Sequence, residues 1–515
     1  MTADRLRSRE VLRNALLFGA ALVLLITANV LSQFGDAFQE RAVYVLFAAN
    51  VALNAAIIAD LCIHIHRDFT MLVFVGAFDL LLLGRVYIAF LLKDRDDLLY
   101  NLEADSFRNL FLALQIVTFS LLCCYAAYKL AAPLFFRREQ AMRERKPPAV
   151  QSDGLAPIIR QVSVFLLAVS SLAFFFVLAN TILNVAKYGY LGSFTQEAEK
   201  NVPTAISRLS MFFAPSFAIF LATLPNRRQM KFPMAIYAVY MFASLFTGRR
   251  NTFVCEVLML VIYFVMRDSL LPKEKRFFQK KKVLWSIAGL LLMMFALQRI
   301  AQVRAGTLTQ EDGFFSSLTN FVYSQGATFR VVIQTVNCWD RFDHRQTYLY
   351  LYFPFEQFVH NNVLLRTIFG YTPLLNIQNM QTALTTHNFA HVITYMVAPD
   401  RYLSGGGFGT SFVAEAYVAY GMAGVAAVSA MIGVICRFFS SMFTRPWPVI
   451  ALSLIAVKDF IYIPRNFAFL WVTDVFNLTY LCFFLAVYLA ALLFATLGAH
   501  LRRPRACVGA GEDGA

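Results

Sequence analysis

Apolar runs of about twenty residues recur along most of this chain, each long enough to cross a hydrocarbon core about 30 Å thick. Residues 15–31 (ALLFGAALVLLITANVL), 110–136 and 284–301 are typical. Only 15% of the residues are charged and 59% are hydrophobic, whereas soluble domains carry about a quarter charged residues. Too little polar sequence remains to cover these runs as the core of a soluble domain. The expected fold is therefore all-α, a polytopic transmembrane bundle of about twelve helices.

The expected spans are 11–32, 42–63, 69–92, 108–136, 158–183, 208–224, 233–247, 252–267, 284–300, 408–436, 449–466 and 472–497. That layout gives nine transmembrane helices with short loops over 1–300, a long partly helical loop over 301–407, three helices over 408–497 and a tail at 498–515. The net charge of +15 calls nucleic acid to mind, but its distribution points to a membrane. The basic clusters at 5–9, 135–146, 226–231, 273–282 and 502–505 fall in alternate loops, as cytoplasmic Lys and Arg do. Both termini then lie in the cytoplasm of a bacterial inner membrane. The acidic loop 93–107 and the long loop 301–407 lie outside, in the periplasm. The first apolar run has no small-residue cleavage site, so it reads as a retained helix. Most cysteines fall inside spans and no metal-binding spacing occurs, so neither a metal nor a cofactor is expected. A GxxxxGK[ST] phosphate loop is absent from the sequence, which excludes that kind of ATP-driven pump.

A long loop inside a compact protein is usually functional. Phe315, Leu318, Val322, Phe329, Val332 and Val336 recur at helical spacing, and TYLYLYFPFEQF (347–358) suits a segment at the membrane–water boundary. All six basic residues of the loop are arginines, Arg304, Arg330, Arg341, Arg345, Arg366 and Arg401. About three quarters of the chain's basic residues are arginine in any case, so this lends mild support to phosphate recognition by planar guanidinium groups. In TGRRN (247–251), Arg249 and Arg250 occupy a tight outer turn. They read either as an interfacial pair meeting lipid headgroups or as a clamp for an anionic substrate.

The segment 387–424 carries the densest signal. Gly405, Gly406, Gly407 and Gly409 permit a tight turn close to a ligand. Thr410 and Ser411 suit the cap of the next helix. Glu415 falls one turn inside that span, where an ionisable group is costly; it reads as either functional or paired with an outer arginine. The small residues Gly421, Gly424 and Gly433 favour close helix packing. His387 and His391 would share a helical face, but zinc needs a third ligand; one histidine as a general base is the better reading. Asp60, Asp79, Arg85, Glu256, Lys458 and Asp459 are further charges inside spans, expected to pair structurally.

At these residues the chain resembles the Wzy-type O-antigen polysaccharide polymerases. The resemblance rests on His391, Pro399, Tyr402, Gly407, Gly409, Ser411, Ala414, Glu415, Tyr417, Gly421 and Gly424, on YSQGATFRVV with Gln325, Gly326 and Arg330, and on the Gly-Arg turn of TGRRN. The pieces come in the family's order and span about 245–436; the N-terminal half is similar in span pattern alone. The resemblance implies transfer of a growing glycan from undecaprenyl pyrophosphate to the sugar of a second lipid-linked repeat unit, at the periplasmic face. The product would be O-antigen, capsule or exopolysaccharide. It implies Arg249, Arg250, Arg304, Gln325, Arg330, Arg401, Gly407, Gly409 and Ser411 in binding pyrophosphate or glycan, with His391 and Glu415 handling the proton. The partners implied are membrane lipids and lipid-linked glycans, together with a chain-length regulator and a flippase. An O-antigen ligase shares this topology and leaving group. A flippase or secondary transporter, which places its site at the membrane midplane, and a non-catalytic assembly partner are alternatives of other classes.

Overall fold

The computed structural model describes residues 3–92, 98–135, 154–192, 202–247, 250–270, 313–374 and 377–501, with a few isolated positions between 276 and 299. In chain order the helices are α1 (Ala3–Leu31), α2 (Asp36–Ile63), α3 (Ile65–Phe78), α4 (Gly84–Leu92), α5 (Leu98–Leu102), α6 (Phe107–Leu130) and α7 (Ala156–Gly192). Next come α8 (Thr204–Ser210), α9 (Phe213–Ala222), α10 (Arg227–Ser244), α11 (Arg250–Ser269), α12 (Phe314–Gln325), α13 (Phe329–Asn337) and α14 (Tyr348–Asn361). The last are α15 (Val363–Phe369), α16 (Met380–Thr385), α17 (Phe389–Val397), α18 (Pro399–Leu403), α19 (Phe412–Ser440), α20 (Trp447–Ile461), α21 (Leu470–Val475) and α22 (Leu478–Leu501). The described residues contain no strand.

Nine segments among the described residues are long and apolar enough to cross a membrane: 12–31, 36–63, 65–91, 107–135, 156–187, 204–222, 227–247, 412–440 and 470–497. Each matches an expected span, so the protein is a multi-pass integral membrane protein. Three expected spans have other outcomes. The one at 252–267 is helix α11, but Glu256, Arg267 and Asp268 are buried along it and lower its hydropathy. The one at 449–466 is α20, which stops at Ile461 after 15 residues; Pro464 follows in a 3-10 turn. Most of 284–300 lies outside the described residues.

The chain forms two compact units that interleave in sequence. The first comprises 1–140, 254–441 and 456–474; the second comprises 141–253, 442–455 and 475–515. In the second unit, aromatic side chains of α7, α9 and α10 pack as a stack, with Phe174 on Phe213 at 4.4 Å and Phe217 on Tyr237 at 3.8 Å. Arg160 caps the C-terminal end of α9, donating to the Thr223 carbonyl at 2.7 Å, a favourable place for a cation because the helix dipole is negative there.

In the first unit, α19 runs against α6. Gly433 makes this possible, since a Cβ there would overlap the Cys124 carbonyl and Tyr128 amide of α6. Ser120 and Ser429 hydrogen-bond across the same seam at 2.8 Å. Arg437 is wholly buried and faces the wholly buried Asp68 at 3.5 Å, with Tyr128 donating to Asp68 at 2.7 Å. Removing one partner from such a pair leaves a buried charge without compensation. Among the charges expected to pair, Asp60, Glu256 and Lys458 do so, whereas Asp79 accepts from the Tyr87 hydroxyl at 3.4 Å. Asp60 is bridged to Lys129, and Glu256 lies 3.3 Å from Lys458.

The loop residues from 313 onward form a folded set of short helices. The apolar stripe read across 315–336 is not one face of one helix, because the chain jogs through a 3-10 turn at Gly326–Thr328. Phe315 is left exposed, whereas Phe329, Val332 and Val336 are buried. The 347–358 stretch is α14, with Leu351 and Phe353 buried and Tyr348, Tyr352 and Phe355 exposed.

Candidate functional site

The site grows from a close backbone crossing. Between α3 and α4 the chain makes a π-helical turn, Asp79–Leu83, a feature frequent at functional sites. Gly84 follows it and meets Gly326. A Cβ on Gly326 would overlap the backbone of Gly84 and Arg85, and a Cβ on Gly84 would lie 2.9 Å from the Val322 carbonyl oxygen. Two glycines in contact therefore bring Arg85 beside the segment that carries Arg330.

Glu103 joins them from the loop between α5 and α6. Its side chain lies 3.3 Å from Arg85 Nη1 and is ion-paired with Arg330. Its backbone carbonyl accepts from Gln334 at 3.2 Å and from Asn337 at 3.0 Å. Those bonds hold Glu103 at φ 60°, a left-handed conformation that costs a non-glycine residue about 1–3 kcal/mol. Tyr323 donates to the Asn101 carbonyl at 3.4 Å, and the Arg85 guanidinium stacks 4.7 Å above the Tyr323 ring. The loops 98–107 and 323–341, both read from sequence as outer, thus share one end of the first unit.

The glycine-rich loop supplies the third cation and the floor. After α18, Gly405 (φ 85°) and Gly409 (φ 79°) turn the chain, and the Phe408 amide donates to Thr394 Oγ1 at 3.1 Å. This sets the Phe408 ring under two guanidinium groups, Arg330 at 4.0 Å and Arg401 at 5.1 Å from its centroid. Three arginines thus cluster about one carboxylate and two aromatic rings. Side-chain exposure is 16% for Arg85, 25% for Glu103 and 26% for Arg330, so the cluster is confined yet open to a ligand. Burial pulls the Arg330 guanidinium below its usual range; Glu103 opposes that shift, and Arg401 and Arg85 add to it. Among the described residues, the cluster sets three guanidinium groups against one ion-paired carboxylate, that of Glu103.

His391 lies on α17, one turn before Thr394. Its Nδ1 is 3.0 Å from the hydroxyl of Tyr402, which is fully buried. Burial holds the imidazole below its ordinary range. His387 precedes α17 and bonds instead to Glu356 at 2.9 Å, so the two histidines have separate partners. Glu415 is fully buried. It accepts from the Thr410 hydroxyl at 2.6 Å and from the Ala468 amide at 3.0 Å, and no arginine pairs with it among the described residues. Ser411 caps α19, accepting from the Val413 amide at 3.3 Å.

Of the residues singled out in sequence, Arg330 and Arg401 meet at Phe408, with Gly407 and Gly409 in the loop that carries it. Gln325 is half-buried at the end of α12. Arg249 and Arg304 lie outside the described residues, and Arg250 is described only as the backbone start of α11. Sequence reasoning missed Glu103 and Phe408; it expected Arg85 to pair structurally, and Arg85 does pair, with Glu103. The available signal for Arg85 was a lone arginine two turns below the end of an apolar span.

The fold and site together define a multi-pass helical membrane protein with a cationic cluster gathered at one end of its larger unit. Residues 16–497 match the O-antigen polysaccharide polymerase Wzy family, nearly the whole chain, and the protein belongs to that family. It is accordingly a membrane-embedded polymerase of the glycosyltransferase type in O-antigen biosynthesis. Comparison with curated proteins and with solved structures returns no match.

Proposed function

We propose that the protein joins oligosaccharide repeat units carried on undecaprenyl diphosphate, at the periplasmic face of the bacterial inner membrane, and that Arg330, Arg401 and Arg85 hold the diphosphate. The observation that supports this most directly is that two guanidinium groups, of Arg85 and Arg330, meet on one partly open carboxylate, with a third, of Arg401, beside Arg330 on the Phe408 ring. Guanidinium binds phosphate oxygens in pairs, and a diphosphate leaving group needs its developing charge neutralised where charge appears. Glu103 occupies the arginines before substrate arrives and gives way to the diphosphate. The resemblance to the family gives Arg249, Arg250 and Arg304 an anion-binding role as well, and Gln325, Gly407, Gly409 and Ser411 a part in binding pyrophosphate or glycan. A chain-length regulator and a flippase are its expected partners.

In the reaction, a sugar hydroxyl of the acceptor repeat unit attacks the anomeric carbon of the donor glycan. The new glycosidic C–O bond forms as the C–O bond to diphosphate breaks. The electron pair leaves with undecaprenyl diphosphate, and the hydroxyl proton passes to His391. For this, His391 Nδ1–H donates to Tyr402 and Nε2 is the free acceptor. Burial keeps the imidazole neutral near pH 7, as a base requires. Glu415 acts as a positioning residue, tying the start of α19 to the backbone at Ala468.

The test is chain length in a host lacking its own copy of the protein. Arg330→Ala and Arg401→Ala, present in the membrane at normal level, should leave single repeat units in place of a polymer ladder. A full ladder from both variants refutes the assignment.

A further inference from the structure

A second group of side chains in the first unit lies outside the arginine cluster and is not accounted for by packing. Tyr348, Tyr352 and Phe355 fall four and three residues apart on one face of α14 and are 42%, 41% and 37% exposed. Tyr420 of α19 is 50% exposed, and its phenol lies beside those of Tyr352 and Tyr348. Tyr352 stacks parallel to Phe469 at 6.0 Å. One turn before Tyr420, Tyr417 packs on Trp339 at 4.9 Å, and Trp339 packs on the exposed His344 at 4.7 Å.

The backbone indicates what this surface faces. Tyr420 (φ −142°, ψ 20°) and Gly421 (φ 61°, ψ −149°) are non-helical inside α19, and the Gly421 values lie in a region that is in practice open to glycine alone. Broken helix at membrane depth persists only where protein buries it or where it lines a water-filled recess. Tyr420 is half exposed, so protein does not bury the break. That rule points to a wet recess at the break, walled by aromatic faces edged with hydroxyl groups. That combination of apolar face and polar edge suits a neutral polyhydroxylated ligand. Trp339 follows α13, which rises about 13 Å over its nine residues from the turn that carries Arg330.

We infer that Tyr348, Tyr352, Tyr420, Tyr417 and Trp339 form a saccharide-binding subsite that holds the glycan part of the substrate while its diphosphate sits at Arg330. The sugar rings lie against Trp339 and Tyr352, and the phenols bond to sugar hydroxyls. This rests on the function proposed above.

The experiment uses the full-length protein in lipid nanodiscs. The probe is a set of oligosaccharides of one to several repeat units, released from the host's own polysaccharide by mild acid and free of lipid and phosphate. Affinity is read by calorimetry, and the contribution of Trp339 by the fluorescence difference between the wild type and Trp339→Phe. Tyr352→Ala and Tyr420→Ala should weaken binding about tenfold, a loss easily resolved as an affinity ratio. Tyr420→Phe, which keeps the ring and removes the hydroxyl, should give a smaller loss if the alanine variant fails to fold. Arg330→Ala should bind the free oligosaccharides as the wild type does. Wild-type affinity in all three tyrosine variants overturns the subsite while leaving the arginine assignment intact. Quenching of Trp339 by brominated lipids but not by the oligosaccharides also overturns it, because the surface would then face the bilayer. A normal ladder from Arg330→Ala, with saccharide binding lost in Tyr420→Ala, overturns the diphosphate assignment alone.

Discussion

Replacing Gly326 with alanine adds one methyl group where the 3-10 turn crosses the start of α4. The added Cβ would meet the backbone of Gly84 and Arg85, and no side chain is there to rotate away. Relief requires the two segments to separate by about 1.5 Å to reach van der Waals contact. Overpacking of this kind costs about 1–3 kcal/mol. The functional cost is larger, because the same separation parts Arg85 from Arg330. A misplacement of about 1 Å in a positioned group costs roughly 100-fold in rate. Gly84→Ala should be milder, since its Cβ would lie 2.9 Å from the Val322 carbonyl oxygen and 3.2 Å from the Val322 Cγ1; a shift of a few tenths of an ångström in that segment relieves most of it. Gly76→Ala has nothing within 4 Å and sits in α3, where alanine is the better helix former by up to about 1 kcal/mol. The assay pairs thermal unfolding in detergent with polymer chain length in cells. The expected order of damage is Gly326→Ala, then Gly84→Ala, with Gly76→Ala neutral or stabilising. If Gly326→Ala melts and polymerises like the wild type, the crossing does not position the arginines.

Three further outcomes are expected. Arg330→Lys keeps the charge but loses the planar face over Phe408, a cation–π contact contributing about 0.5–2 kcal/mol, and loses paired bonding to phosphate; chain length on gels should fall toward that of Arg330→Ala. The depressed His391 titration makes the folded protein bind protons less readily than the unfolded chain. Its contribution to stability is therefore complete above the ordinary histidine range, about pH 6.5, and is lost as pH falls through the lower folded value; melting curves of His391→Gln should show a weaker loss in acid, and polymerisation by the wild type should fall over the same interval. Glu415→Gln can still accept from the Ala468 amide while Thr410 turns its hydroxyl to accept, so membrane level and melting should stay near normal. Glu415→Ala leaves buried donors without partners, at about 1–3 kcal/mol each, and should melt lower; equal melting of the two variants would refute the positioning role.

The positions of most spans were legible because a hydrocarbon core demands about twenty apolar residues; their ends were less so, since α1 begins at Ala3 and α7 runs on to Gly192. The expected spans 252–267 and 449–466 also form helices, but not ones long and apolar enough to meet that rule. Helix α11 carries buried Glu256, Arg267 and Asp268, and α20 is only 15 residues long. The periodicity across 315–336 misled for another reason. Gly326 lies at a crossing of two segments more than two hundred residues apart, and one-dimensional spacing does not register that jog. Gly421 was read as a packing glycine, but its backbone angles show that it breaks α19 instead.

Glu415 stood out in sequence because an ionisable group inside an apolar span is costly, and Arg330, Arg401 and His391 because they lie in the long loop, the arginines suited to phosphate, with Arg330 and His391 in the stretches that carry the family resemblance. Their grouping was not legible. Arg330 and Arg401 are 71 residues apart in the chain, and Phe408 unites them only because Gly405 and Gly409 turn the loop and Thr394 holds its amide. Glu415, which looked like a candidate base, proved to be enclosed between Thr410 and Ala468. By itself the sequence determined that this chain is a helical membrane protein, which segments cross, and that arginine and glycine gather in the long loop, since hydropathy and charge act locally along the chain. Only the tertiary structure decided that Arg85 and Glu103 join Arg330 in one cluster, because a close backbone approach is set by what two distant segments leave out, here the side chains of Gly84 and Gly326.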